Sequence, residues 1–532
     1  MGSFWKQGEP QVWGTAAALS VTLLMVLVLV VVVMVNGLGF FWPSDMALVS
    51  MSDGSRLMGQ ISDREKAPPA HGKRLQFKVG NRDIYGQDFR WVEERDIRTM
   101  SWPHDSVVLE RKENGNFHGF LKSVSLEGLA TPAAASPWET LRVALKEVSE
   151  LRETLAKTQQ VMARMSSQTE QLRLKIRKLS HSGATANRGE IDTLTSRREK
   201  LLSQFDGLLE RFNESSEALD KPAALFTDAA GEEKEIPLSA IVRAYRPNSM
   251  GVFGKASFYA GKVRELLLDE PRESNTEGGL FPAIFGTVMM VLLMSVFSLP
   301  FGVVAAVYLR EYAREGLIVR IVRIAVNNLA GVPSIVYGVF GLGFFVYGIG
   351  GSLDKLFFPE RLPTPVFGTG GILWASLTLA LLTVPVVIVA TEESLASIPK
   401  GIREGSLALG ATKFQTLTRV LLPMATPGIM TGLVLSMARA VGEVAPLMMV
   451  GVVKLAPTLP FDGQFPFFHM DRKFMHLGFH IYDVGFQSPN VDMARPMVYM
   501  TTFLLVGIVL VLNLAAIVLR NRLRKKFSMG SL

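Results

Sequence analysis

Arg439 and Glu443 stand four residues apart inside an apolar run from Gly428 to Val450. A helix of that length crosses a hydrocarbon core of ~30 Å. A charge at such depth costs about 2.5–3.5 kcal/mol or more, so charged residues there are usually paired, inward-facing and functional. Residues four apart share a helix face, which lets Glu443 neutralise Arg439. The chemistry this pair suits is recognition of an anion. A guanidinium offers an oxyanion two parallel donors. Glu443 limits the cost of an unpaired buried cation when no anion is present. It can also accept a hydrogen bond from a protonated oxyanion, which a fully ionised one cannot donate. Thr287, Ser334 and Tyr337 are further polar candidates for lining a path through neighbouring apolar runs. The competing reading is an ion pair that only joins helices.

Just before this run lies a polar loop, TEESLASIPKGIREGSLALGATKFQTLTRVLLP, from Thr391 to Pro423. Pro399 ends what precedes it, and a helix is expected from about Ile402 to Leu417. Glu404 then sits in the first turn, where a carboxylate suits the positive end of the helix dipole. Gly410 interrupts this helix at about 1 kcal/mol against alanine, for which close approach by another protein is one reason. An ordinary connector is the other reading of the loop.

The order Glu404, Gly410, then Val420-Leu421-Leu422-Pro423 resembles the Glu-Ala-Ala loop of ABC-importer permeases, although Gly405-Ser406 replace the two alanines. The words ARAVGEVAPLM, from Ala438 to Met448, and GVPSIVYGVFGLGFF, from Gly331 to Phe345, narrow the match. They resemble the PstA family of phosphate-uptake permeases, and Ala445-Pro446 separates them from the sister PstC type. The resemblance runs from about Gly278 to the C-terminus. It implies a type I importer core of six transmembrane helices, and a loop that docks on an ATPase through Glu404, Gly410, Ala411 and Pro423. Its implied partners are a PstC-type permease subunit, a dimer of PstB-type ATPase subunits and a PstS-type extracytoplasmic phosphate-binding protein. It implies no catalytic residue and no cofactor in this chain, with ATP used by the ATPase. One departure stands at Val389-Ala390-Thr391-Glu392, where relatives often carry an Arg before Thr-x-Glu.

The elements that must position these residues follow from composition. The chain has 532 residues, 48% of them hydrophobic, a mean hydropathy of +0.26 and no cysteine. This describes a membrane protein with a large polar part, and excludes disulfides and thiolate metal sites. No GxxxxGK[ST] phosphate loop occurs, so ATP hydrolysis is expected elsewhere. Pro43 to Pro282 holds 35 basic and 35 acidic residues, so the net charge of +8 lies wholly in the apolar part and its flanks. That distribution reports topology and argues against a nucleic-acid partner.

The expected fold is mainly α. Its six transmembrane helices carry a large extracytoplasmic α+β insert with a long helical hairpin. Residues 1–42 form a short tail and first span, Thr15 to Val35, which is too long for a signal peptide and is followed by Phe40, Phe41 and Trp42. Residues 43–136 read as a β-rich module. In 137–220, Leu141, Leu145, Val148, Leu155, Met162, Leu172 and Ile176 follow a 3-4 spacing, with a turn at Ser182-Gly183-Ala184 and a second helix after it. The basic cluster Arg173, Lys175, Arg177 and Lys178 reads as a solvated face. Residues 221–282 form a return segment with one strand, Glu235 to Tyr245, and an amphipathic helix, Ser257 to Leu268. Residues 283–520 hold the permease domain, with the coupling loop at 392–424. Its spans are Ala283 to Leu309, Ala325 to Ile349, Gly371 to Thr391, Gly428 to Val450 and Met497 to Leu519. Residues 521–532 form a basic tail. Arginine and lysine clusters at 310–323, 400–419 and 520–526 place both termini of a multi-pass protein in the cytoplasm, and the resemblance implies that the membrane is a bacterial inner membrane. His476 and His480 have the i, i+4 spacing of a metal pair but lack a third ligand, so no metal is expected. A sulfate or molybdate permease, or a membrane scaffold or sensor without transport, remain as alternatives.

Overall fold

A computed structural model describes residues 9–39, 41–66, 72–129, 136–181, 187–463, 467–488 and 491–528. The expected turn at Ser182-Gly183-Ala184 and the tail before residue 9 lie outside them. The chain divides into two compact units, one built from residues 1–40, 266–270 and 279–532, the other from residues 41–265 and 271–278.

In chain order, α1 (Glu9–Gly39) opens the first unit. The second unit follows with β1 (Met46–Met51), β2 (Arg56–Lys66), β3 (Lys73–Lys78), β4 (Phe89–Glu93) and β5 (Ile97–Ser101). These pair antiparallel in the order β4-β3-β2-β1-β5. A second antiparallel sheet has the order β10-β6-β7-β8-β9. It is built from β6 (Ser106–Arg111), β7 (Phe117–Ser125), β8 (Ala223–Thr227), β9 (Glu233–Pro237) and β10 (Ile241–Tyr245). The single strand expected at Glu235 to Tyr245 is thus two, interrupted by a 3-10 turn at Leu238–Ala240, with β9 pairing β8 and β10 pairing β6.

Between β7 and β8 rise α2 (Pro137–His181) and α3 (Arg188–Asp220). At 1.5 Å per residue they form arms roughly 50–65 Å long. Leu141, Ala144 and Val148 of α2 and Leu219 of α3 join Val107, Leu109, Phe117, Ala224 and Phe226 in one core. The base of the hairpin therefore covers a face of the second sheet. The apolar seam thins with distance from it, where Met162 and Leu172 are the buried positions. The amphipathic helix begins earlier than expected, as α4 (Val252–Leu268).

The rest of the first unit is helical. Its elements are α5 (Phe281–Val307), α6 (Leu317–Leu329), α7 (Ser334–Phe340), α8 (Ile372–Ala396), α9 (Lys400–Ala408), α10 (Lys413–Thr416), α11 (Leu422–Gly442), α12 (Ala445–Val450), α13 (Leu477–Phe486) and α14 (Val491–Ser528). Among the described residues six helices are long and apolar enough to cross a membrane: Gln11–Gly39, Phe281–Tyr312, Ser334–Phe357, Ile372–Ala396, Lys413–Gly442 and Ala494–Arg522. Helix α8 lies at the centre, with two thirds of its most apolar window buried. Glycines let neighbours approach it closely: a Cβ on Gly302 of α5 would meet Val387 at 2.5 Å, and one on Gly432 of α11 would meet Ala390 at 2.6 Å.

Two spans depart from their expected bounds. The third starts at Ser334, not near Ala325, because the chain turns at Ala330–Gly331 and Pro333 then starts a new helix. The amphipathic stretch before that turn is the separate helix α6. The fifth runs from Lys413 to Gly442, not from Gly428 to Val450. A π-turn at Leu417–Leu421 precedes Pro423, which has no N–H and whose ring would crowd the carbonyl four residues back. The helix passes that point and stops at Gly442.

His118 of β7 is fully buried, and loss of solvent pushes its pKa down to about 3, with the Lys78 charge adding to the effect. In an unfolded chain the group titrates near 6.5. Above that value both states are neutral and His118 contributes nothing to pH dependence. Below it the unfolded state takes up the proton, and stability falls by up to about 1.4 kcal/mol per pH unit until pH 3. The unfolding transition of the full-length chain in detergent should therefore move to lower temperature between pH 6.5 and 4. His118→Gln should flatten part of that slope; an unchanged slope contradicts the assignment.

Candidate functional site in the membrane unit

Helix α11 ends at Gly442, Glu443 takes an extended conformation (φ −82°, ψ 123°), and α12 restarts at Ala445 with Pro446 in its first turn. Arg439 is thus in the last turn of a helix, not the middle of one, where the carbonyl end of the dipole favours a cation. Glu443 is beyond the helix, so i, i+4 geometry does not join the two. They still meet: Nε of Arg439 lies 3.6 Å from Oε1 of Glu443. Both are only partly buried, with side-chain exposures of 33% and 20%. Among the described residues the Arg439 guanidinium makes no protein hydrogen bond, so its donors remain available to a ligand.

The break is held by packing. A Cβ on Gly338 of α7 would come within 2.7 Å of Pro446, so α7 lies directly on α12. Tyr337 is buried and its hydroxyl donates to the Leu329 carbonyl at 2.7 Å. Ser334 is half-buried in the first turn of α7. Thr287 is placed differently from the expectation of a path-lining hydroxyl. It is fully buried, donates to the Ala283 carbonyl at 2.7 Å and accepts from the Leu477 N–H at 2.9 Å. Its place is to tie the start of α13 to α5.

The helix expected from about Ile402 to Leu417 is instead two shorter ones, α9 and α10. Helix α9 starts at Lys400, which puts Glu404 beyond the first turn and on an exposed face. Gly410 has φ +84° and ends the turn after α9; this left-handed conformation is the local reason for glycine there. Ala411 is half-buried, and Thr412 with Gln415 forms a capping box that starts α10. Pro423 is half-buried near the start of α11. Leu409 (90% exposed) and Phe414 (65%) leave an apolar surface beside these residues.

Two ion pairs escaped the sequence reading, which counted their arginines only as markers of sidedness. Arg403 of α9 pairs with Glu311 at 2.9 Å and donates to the Leu395 carbonyl at 2.6 Å. Arg323 of α6 lies 3.7 Å from Glu392, beside Val389-Ala390-Thr391, so a basic group reaches this stretch from another helix. The repeated Arg and Glu of 310–323 were the signal, without a spacing to pair them. His476 caps α13 by accepting from the Gly478 N–H at 3.1 Å, and Nδ1 of His480 lies 3.3 Å from the Thr501 hydroxyl. No group of three or more metal-ligating side chains occurs among the described residues.

The family described as binding-protein-dependent transport system inner membrane component matches residues 298–528. The chain is 34% identical over 221 residues to the probable ABC transporter permease protein YqgH of Bacillus subtilis, covering 40% of this chain and 67% of that protein. It is 37% identical over 188 residues to the phosphate transport system permease protein PstA of Mycobacterium leprae, covering 35% and 56%. It is 30% identical over 229 residues to PstA of Pasteurella multocida, covering 43% and 71%. The chain thus spans between about half and three quarters of these relatives' lengths.

Thr287→Val keeps the shape of the side chain and removes both hydrogen bonds. It leaves the buried Leu477 N–H without a partner, a cost of about 1–3 kcal/mol. The expected outcome is a lower unfolding temperature in detergent with anion affinity unchanged. Weakened anion binding at unchanged stability would return Thr287 to the path.

Proposed function

The chain belongs to the family of binding-protein-dependent transport system inner membrane components, and from that premise we propose that it is the PstA-type permease subunit of an ATP-driven importer of inorganic phosphate. The observation that carries this reading is Arg439: a partly exposed guanidinium at a helix break, beside Glu443, with no protein hydrogen bond among the described residues. The PstA names of the relatives supply the substrate class. In this reading Arg439 contacts the phosphate by charge-assisted hydrogen bonds. Glu443 pairs with it between transport events. Ser334 and Tyr337 stand on the helix packed against the break. The chain catalyses no reaction and binds no cofactor; ATP is hydrolysed in a separate ATPase dimer of PstB type.

Glu404, Gly410, Ala411 and Pro423 form the surface on which that ATPase acts. The exposed Leu409 and Phe414 support this, as does the Arg403–Glu311 pair that holds α9 to the membrane helices. A PstC-type subunit completes the pathway, and a PstS-type protein delivers phosphate from outside. Both termini are cytoplasmic and residues 43–282 extracytoplasmic, an orientation supported by the positive residues at 310–323, 400–419 and 520–526.

The test is uptake of labelled phosphate at low concentration in cells lacking this chain, complemented by wild type or Arg439→Ala, with sulfate and molybdate as competitors. Wild type should restore uptake that resists both competitors. Arg439→Ala should assemble into the membrane and lower uptake by tenfold or more. Full restoration by Arg439→Ala removes this residue from the pathway. Competition by sulfate or molybdate moves the substrate to another oxyanion.

A further inference from the structure

The strand-bearing unit contains a small open cleft, of about 110 Å³, that the transport reading does not use. Its floor is apolar, formed by Leu57 of β2 and Val79 after β3, which are buried in the same core. Its rim carries Arg56 and Arg90. Both are exposed, and among the described residues neither has a carboxylate within ion-pair distance. Nearby, Asp53 accepts from the Ser55 N–H at 2.8 Å and the Ser55 hydroxyl at 2.6 Å; these bonds, with a smaller contribution from the Arg90 charge, hold its carboxyl below the usual range.

The walls are fixed in advance. Tyr85 lines the cleft and its hydroxyl donates to the buried Asp228. Asp228 also accepts from the Ala230 and Glu232 N–H groups at 2.9 and 2.8 Å. On another side Asn81 is locked by two hydrogen bonds to the His118 backbone, at 2.6 and 2.9 Å. A preformed concave site with an apolar floor and a few convergent polar groups is the usual form of a small-ligand site. Two guanidinium forks at its mouth select an oxyanion head.

We propose that this cleft binds a small organic anion, its carboxylate or phosphate head between Arg56 and Arg90 and its short apolar body on Leu57 and Val79. The site is independent of whatever the membrane helices carry.

The test is calorimetric titration of the purified full-length chain in detergent with butyl phosphate, butyrate and inorganic phosphate. The proteins are wild type, Arg56→Ala/Arg90→Ala, Arg56→Lys/Arg90→Lys and Arg439→Ala. At least one organic anion should bind wild type and Arg439→Ala alike, and the stronger of the two identifies the head group. Its affinity should fall tenfold or more in the double alanine variant and recover in part with lysines. Inorganic phosphate, lacking an apolar body, should bind this site more weakly. Both arginines are exposed, so their replacement leaves the fold intact, and an unchanged unfolding temperature checks this. The proposal is overturned by absence of saturable organic-anion binding in wild type, by binding unchanged in the double alanine variant, or by loss in Arg439→Ala instead. It is also overturned if inorganic phosphate binds through Arg56 and Arg90 as tightly as the organic anions.

Discussion

The membrane unit turns on the cost of keeping one guanidinium away from bulk water. An isolated charge in a low-dielectric setting is penalised by several kcal/mol, and loss of its only counter-ion leaves that penalty uncompensated. Arg439 meets the constraint in two ways at once. It stands where α11 presents its carbonyl end, and it faces the carboxylate of Glu443. Both depend on the helix stopping at Gly442. Just beyond that stop α7 approaches Pro446 closely, and the missing side chain of Gly338 permits it. The charge, the break and the packing form one arrangement.

The same helix places that arrangement in mechanical continuity with the loop. From Lys413 to Gly442 the chain is helical throughout, and at 1.5 Å per residue this is about 45 Å. The capping box at Thr412 fixes one end and Arg439 occupies the other. Helix α9 is not a loose flap, since Arg403 binds it to Glu311 and to the end of α8, and Ser406 meets Thr416 at 2.9 Å across the loop.

Hydropathy alone located six apolar segments, because a run of some twenty apolar residues has few soluble uses. It did not locate their ends. Apolar residues continue through Gly442–Val450, so nothing in the run marks the break; the mark is local chemistry, a glycine followed by Glu443 and then Pro446. Gly410 was legible as a glycine with a reason, but its positive φ is a conformational requirement that one sequence does not distinguish from contact with a neighbour. Arg439 and Glu443 were singled out from residue type and depth, and in the fold they lie side by side. Arg403–Glu311 and Arg323–Glu392 were not, since each joins segments about 70–90 residues apart. At Thr287 a hydroxyl in an apolar run suggested a path, and in the fold it satisfies a backbone N–H. The second sheet was hidden for a related reason, as its strands lie on both sides of the hairpin in sequence.

That last arrangement separates the reach of the hairpin from the integrity of the sheet. Ser125 at the end of β7 is paired directly with Ala223 at the start of β8, so the two points where the arm leaves and returns are neighbours on one ladder. Only the first turns of α2 and the last of α3 contribute to the sheet's core. Matched insertion or loss of whole turns farther out would change how far the tip extends and touch no strand pairing. Arm length is thus an adjustable dimension of this protein, open to variation while the β-structure beneath it stays constant.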